Sequence, residues 1–139
     1  MITLTFALLA VNPALTDAWA VSLGRTIAAV RMVEASGRLD PPPGDGGSAI
    51  GPLQIRPILI ADVNRIYGTA YRLADRTDLR KSTELFCLCV LWYYPDGGPE
   101  QWSRCWNGGP AGPHRRSTAA YWHKVRRYLA AMDDPSSGF

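Results

Sequence analysis

Apolar residues recur at helical spacing in the first third of the chain. Leu23, Ile27 and Val30 fall on one stripe, and that stripe ends on Glu34. Ser22 is a suitable N-cap and Gly37 a stop, so the pattern predicts a helix from Ser22 to Glu34. Leu39 to Gly47 carries three prolines and three glycines and reads as a loop. Ser48 to Ile55 is short and apolar, either a strand or an extended segment. Pro57 suits a first helical turn, and Ile58 to Tyr67 keeps helical spacing up to Gly68. After the polar stretch from Asp75 to Lys81, Ser82 or Thr83 is the expected cap of a helix from Leu85 to Tyr94. Being apolar on all sides, that helix is expected to be central and buried. A turn over Pro95–Pro99, a short helix from Glu100 to Trp106 and a Gly/Pro-rich loop from Gly108 to Pro113 follow. Ser117 or Thr118 opens a last helix to about Ala131, and the tail after Asp133 is expected to fray. The expectation is one mainly α domain of about five helices, with a Pro/Gly-rich loop or minimal β element around residues 39–55.

Composition narrows the class. At 139 residues, 47% hydrophobic and 19% charged, the chain has the size and make-up of one globular domain. The net charge of +3 favours encounter with polyanions, but no run of five basic residues marks a nucleic-acid arm. His114-Arg115-Arg116 and Lys124 to Arg127 are the densest basic stretches. Five Trp and six Tyr suit either a core or a groove that stacks sugar rings or bases. Cys87 and Cys89, two apart in a predicted helix, point to different faces, and Cys105 is free to pair with one of them. No Cys/His spacing supports a metal site, and no cofactor is implied. No stretch reaches the roughly 18–20 apolar residues of a membrane span. Ile2 to Val11 is a short apolar run and Ala18-Trp19-Ala20 fits a cleavage site, yet no Lys or Arg precedes them. Residues 1–20 therefore read either as a signal-like segment or as an N-terminal extension. Residues 21–133 form the expected domain, and 134–139 the tail.

Glu34 is the candidate acid. A carboxyl at the end of an apolar stripe loses solvation, its charged form is disfavoured, and it becomes a proton donor nearer neutral pH. The alternative is an ordinary Glu at a helix end, solvated or paired with Arg31 or Arg38. Asp45, eleven residues on in the Pro/Gly loop, would supply the second group that glycoside cleavage needs, or would simply form the Asp45-Gly46-Gly47 turn.

Val33-Glu34-Ala35-Ser36-Gly37, Asp45-Gly46-Gly47-Ser48 and Gly51-Pro52-Leu53-Gln54-Ile55 together resemble the catalytic region of invertebrate-type lysozymes. Trp106-Asn107-Gly108-Gly109-Pro110 and Ser117-Thr118-x-x-Tyr121-Trp122 resemble the downstream segments of that group. The same order is similar to that of soluble lytic transglycosylases. The resemblance spans about residues 27 to 128.

What the resemblance implies is a lysozyme-like fold with Glu34 as general acid and Asp45 as second carboxylate. Ser36, Gln54, Asn107 and Tyr121 would face a saccharide cleft. The implied substrate is peptidoglycan or a chitin-like glycan, with no nucleic-acid partner, no stable membrane insertion and a monomeric state. Exported, periplasmic or extracellular action would follow, with phage-encoded or cytoplasmic synthesis as alternatives. The chain departs from the invertebrate pattern in lacking most of its cysteines, Ile50 standing where one is expected. It departs from the transglycosylase pattern in having Ala35, not Ser, after the acid. A non-catalytic wall-binding module is the competing expectation from another class.

Overall fold

The computed structural model describes residues 13–138. The apolar run Ile2–Val11 lies outside the described residues. Within them the protein is mainly helical, 68% helix in five α-helices, with no strand.

Helix α1 (Pro13–Ala35) opens on a proline, whose missing N–H is no loss in a first turn. It starts well before Ser22, contrary to the expected cap. Nothing from Ala14 to Val21 breaks a helix, and Ser22 sits inside it, its carbonyl accepting the Thr26 hydroxyl at 2.8 Å. Ala18-Trp19-Ala20 is thus part of α1, and the Trp19 ring meets Trp102 edge-on at 6.2 Å. Leu23, Ile27, Ala29 and Val30 are buried along the core face. The helix ends in a Schellman-type turn: Ser36 takes φ +49° and Gly37 φ +73°, and the Gly37 N–H bonds the Arg31 carbonyl.

The apolar segment from Ser48 to Ile55 is neither strand nor straight extended chain. Two single antiparallel bridges, Gly44–Ala49 and Ile50–Ile55, close two consecutive tight turns, the first around a 3₁₀ turn at Asp45–Gly47. Ala49, Leu53 and Ile55 are buried, as are Gly51 and Pro52, so the segment packs into the core. Gly51 is required here. It has φ +87°, and a Cβ would lie 1.8 Å from the Arg76 carbonyl oxygen.

Helix α2 (Pro57–Tyr67) matches the punctuation of the sequence, with Pro57 in the first turn and Gly68 left-handed at its end. A 3₁₀ turn at Leu73–Thr77 leads into α3 (Leu79–Tyr93). The cap of α3 is Asp78, whose carboxylate accepts from the Lys81 N–H at 2.8 Å. Ser82 and Thr83, the expected caps, sit inside the helix. The Ser82 hydroxyl is buried against the Arg76 carbonyl, and Thr83 bonds back to Leu79. Asp78 wins because a carboxylate at the N-cap satisfies an orphan N–H and also meets the positive end of the helix dipole.

Nor is α3 buried all round. Leu85, Phe86 and Val90 are fully buried, each worth about 1.5–3 kcal/mol of transfer free energy, whereas Trp92 is 54% exposed and lies edge-on to Tyr67.

Helix α4 (Pro99–Gly108) buries Trp102, Ser103 and Cys105, and the Trp102 indole N–H donates to the Tyr94 carbonyl. All three cysteines are free thiols, with Cys105 buried and Cys89 its neighbour across the α3–α4 contact. Burial pushes the Cys87 thiol up to about 11.

Two 3₁₀ turns, Gly112–His114 and Arg116–Thr118, precede α5 (Ala119–Met132). Thr118 stands at the start of α5 but does not cap it. Its hydroxyl instead accepts from Arg104 Nε at 2.9 Å and donates to the Gly112 carbonyl at 2.6 Å, locking the turns onto α4. Helix α5 runs antiparallel beside α1: Tyr121 at its start meets Glu34, and Asp133 just past its end meets Arg25 at 2.6 Å. The tail does not simply fray, because the Ser137 hydroxyl returns to the Ala131 carbonyl.

Candidate active site

The last turn of α1 presents Glu34 toward α5, and the Tyr121 hydroxyl donates to Glu34 Oε1 at 2.7 Å. Burial is the main reason the Glu34 carboxyl is raised above its ordinary value, and the nearby negative charge of Asp45 adds to it. The Tyr121 hydrogen bond and the positive charges of Arg56 and Lys124 pull the other way, less strongly than burial. Tyr121 itself, buried beside that carboxyl, has its phenol pushed well above its usual range. A Glu with these surroundings holds its proton further into the neutral range than a solvated one.

The bridged loop carries Asp45, whose charge reaches Glu34. Asp45 is half-exposed and paired with Arg56, which stands just before α2; Arg56 Nε donates to Asp45 Oδ2 at 2.6 Å. Asp45 has φ +48° in the 3₁₀ turn, and Ser48 Oγ donates to its backbone carbonyl. Gln54 also has a left-handed backbone, φ +49°, and its amide nitrogen reaches the Gly51 carbonyl at 3.1 Å and the Pro42 carbonyl at 3.4 Å. Its side chain therefore braces the loop, with Oε1 lying against Gly44.

Ser36, Asp45 and Gln54 are the only non-glycine residues with positive φ among the described residues. All three are candidate site positions, and each left-handed backbone costs on the order of 1 kcal/mol or more. Such strain persists only where the surroundings hold it, here Arg56 on Asp45 and the loop carbonyls on Gln54.

Glu34, Tyr121 and Asp45 are thus brought together, with Ser36 exposed at the chain exit from α1. Asn107 is exposed in the last turn of α4, and no hydrogen bond or ion pair links it to this cluster. Trp122, next in sequence to Tyr121, turns to a different side and lines a shallow apolar groove with Pro99, Gln101 and Leu129.

Three residues that were not among the candidate site positions shape the site. Arg56 holds Asp45. Lys124, three residues after Tyr121 on α5 and so on a neighbouring face, acts on Glu34 through its charge. Arg76 is buried, with Nη1 donating to the Ser48 and Ile55 carbonyls at 2.9 and 3.1 Å and Nε to Leu73 at 2.8 Å. It fastens the loop that carries Asp45 and Gln54 to the entrance of α3. The helical spacing made Lys124 findable, but no pattern marked Arg76.

Among the described residues no group of three or more His, Cys, Asp or Glu side chains is placed to hold a metal ion, and no helix is long and apolar enough to cross a membrane. Comparison with family models, with curated proteins and with solved structures finds no match to this chain.

Proposed function

We propose that this protein is a glycosidase of the lysozyme type that cleaves the β-1,4 bond between the N-acetylmuramic acid and N-acetylglucosamine units of peptidoglycan. The observation that carries the reading is the Glu34 carboxyl: raised in pKa chiefly by burial, held by the Tyr121 hydroxyl, and near enough to Asp45 to feel its charge. With Tyr121 bonded to Oε1, the other carboxyl oxygen carries the proton to the bridging oxygen of the glycan. As the C1–O bond breaks, the carboxylate left behind keeps the Tyr121 hydrogen bond, and the sugar passes through an oxocarbenium-like state. Asp45 then faces that positive charge or takes the proton of the water whose oxygen adds at C1. Either route gives a new reducing end. Gln54 serves as the brace that sets the Asp45 loop, while Asn107 and Ser36 offer exposed amide and hydroxyl groups to the sugar.

One observation favours a second reading. Asp45 is engaged by Arg56, and if that pair stays closed the substrate's own hydroxyl captures the cation, giving 1,6-anhydro ends by lytic transglycosylation.

The test is mass spectrometry of soluble fragments from purified peptidoglycan treated with the protein or with Glu34→Gln. Reducing-end fragments that the variant fails to produce support the hydrolase. Fragments lighter by one water support the transglycosylase. No fragments from either protein, on several wall types and on chitin oligomers, would leave a non-catalytic glycan-binding module.

A further inference from the structure

The +3 net charge hides a strong division. From Gln101 to Met132 the chain has six Lys/Arg and no Asp/Glu, while the other nine basic and all twelve acidic residues lie outside that stretch. The balance is therefore +6 over these residues and −3 over the rest.

Folding concentrates this charge. The stretch is α4 after its first two residues, the two 3₁₀ turns and α5, and the turns are pinned to α4 by Arg104, which donates to Thr118 and to the Arg115 carbonyl. Arg104 is thereby occupied, but Arg115, Arg116, Lys124, Arg126 and Arg127 are all exposed, as are His114 and His123. On α5 the buried side is marked by Val125; His123 and Arg127 lie opposite it, and Lys124 and Arg126 project from the two flanks, so the exposed circumference of the helix is basic throughout this turn.

Among the described residues no ion pair neutralises this face. The three carboxylates that flank it are each engaged: Glu100 with Arg104, Asp133 with Arg25, and Asp134 with the Ser136 hydroxyl and N–H. Four unpaired Lys/Arg within one short helix and its leading turn repel one another and weaken the fold slightly, so their placement is costly without an external anion. The face borders the candidate site. Lys124 lies on it and its charge is felt by Glu34, and the Arg115 guanidinium reaches the Gly108 carbonyl, next to Asn107.

We propose that the outer face of α5 with its leading turn, carrying Arg116, Lys124, Arg126 and Arg127, docks the free carboxylates of the peptide stems of a peptidoglycan strand, and so directs the Glu34 site to an anionic glycan over neutral chitin. The proposal rests on the glycosidase reading for its substrate, but its surface is separate from the acid.

The experiment uses the full chain with Glu34→Gln, which removes turnover. Binding is measured on peptidoglycan sacculi stripped of phosphate polymers and on neutral chitin, from about 20 to 500 mM NaCl, a range over which screening collapses from beyond 10 Å to a few Å. Arg116→Gln/Arg126→Gln/Arg127→Gln is compared with Arg65→Gln/Arg72→Gln/Arg80→Gln, which removes equal charge elsewhere, and with the corresponding Arg→Lys triple of the face. Expected are at least a tenfold loss of low-salt affinity for sacculi in the face variant alone, recovery by the Lys variant, and no change on chitin. Equal losses in both Gln triples, loss on chitin as well, or salt-insensitive binding would overturn the proposal. So would capture of duplex DNA or of phosphate-bearing walls more tightly than of the stripped sacculi. Cleavage by the wild-type protein, read in parallel as soluble fragments released from the stripped sacculi, separates the two readings. Salt-sensitive docking without any cleavage defeats the glycosidase and leaves the face, while cleavage with salt-insensitive binding does the reverse.

Discussion

Tyr121 and Glu34, 87 residues apart in the chain, share a hydrogen bond of 2.7 Å between the first described helix and the last. The bond favours the charged form of a carboxyl that burial pushes toward the neutral form, so it moderates the acid as well as fixing its orientation. Tyr121→Phe removes the moderation, and Glu34 then keeps its proton to higher pH. On the proposed mechanism Glu34 must be protonated to act, so activity would be lost as pH rises through its pKa. The alkaline limb of the pH–rate profile is therefore expected to move upward in the variant, with a maximal rate about tenfold lower from the lost orientation. A limb that stays in place would separate Tyr121 from the acid.

Asp45→Asn is expected to shift the same limb the opposite way. The Asp45 charge raises the Glu34 pKa, so neutralising it lets Glu34 ionise at lower pH. Asparagine tolerates the left-handed backbone at this position, so the loop keeps its shape. If Asp45 faces the oxocarbenium charge, hydrolysis falls about 100-fold or more, within the range of a removed electrostatic partner. An unchanged rate and product mass, alongside the shifted limb, would leave Asp45 as a charged turn residue.

Arg76→Met tests how the site is held. The substitution keeps an apolar stem but strips donors from the carbonyls of Leu73, Ser48 and Ile55. Unmet buried acceptors are expected to destabilise the fold by about 2–4 kcal/mol in denaturant titration, and to reduce activity beyond what unfolding explains. Wild-type stability would mean that water replaces the guanidinium.

Asn107→Ala separates binding from structure. Its side chain is exposed and makes no hydrogen bond among the described residues, so thermal stability should hold. KM for peptidoglycan is expected to rise about 3- to 10-fold, the worth of one neutral hydrogen bond. A lower melting temperature with unchanged KM would assign Asn107 to closing the α4 end.

These residues also show where the sequence was legible. Helix α2 was readable from end to end because Pro57 and Gly68 are constrained by their own backbones. The starts of α1 and α3 were not, since Ser22 and Ser82 are good caps by type and yet lie inside longer helices. Which of several polar residues caps a helix depends on where the chain arrives in space. Glu34 stood out locally as a carboxyl ending an apolar stripe. Its nearness to Tyr121 follows from the antiparallel seating of α5 on α1, which no local pattern encodes. Arg76 was invisible for a similar reason, because its partners are backbone carbonyls supplied by remote turns.

The pairing of Glu34 with Tyr121 also bears on when the protein becomes active. As the chain is synthesised the acid is made early and the tyrosine late, and the intervening helices must be laid down before the two can meet. A nascent or prematurely ended chain that stops short of α5 exposes the Glu34 carboxyl to water, where it is an ordinary ionised glutamate. On the proposed function, competence for the chemistry would therefore arrive only with α5, a delay built into the order of the chain.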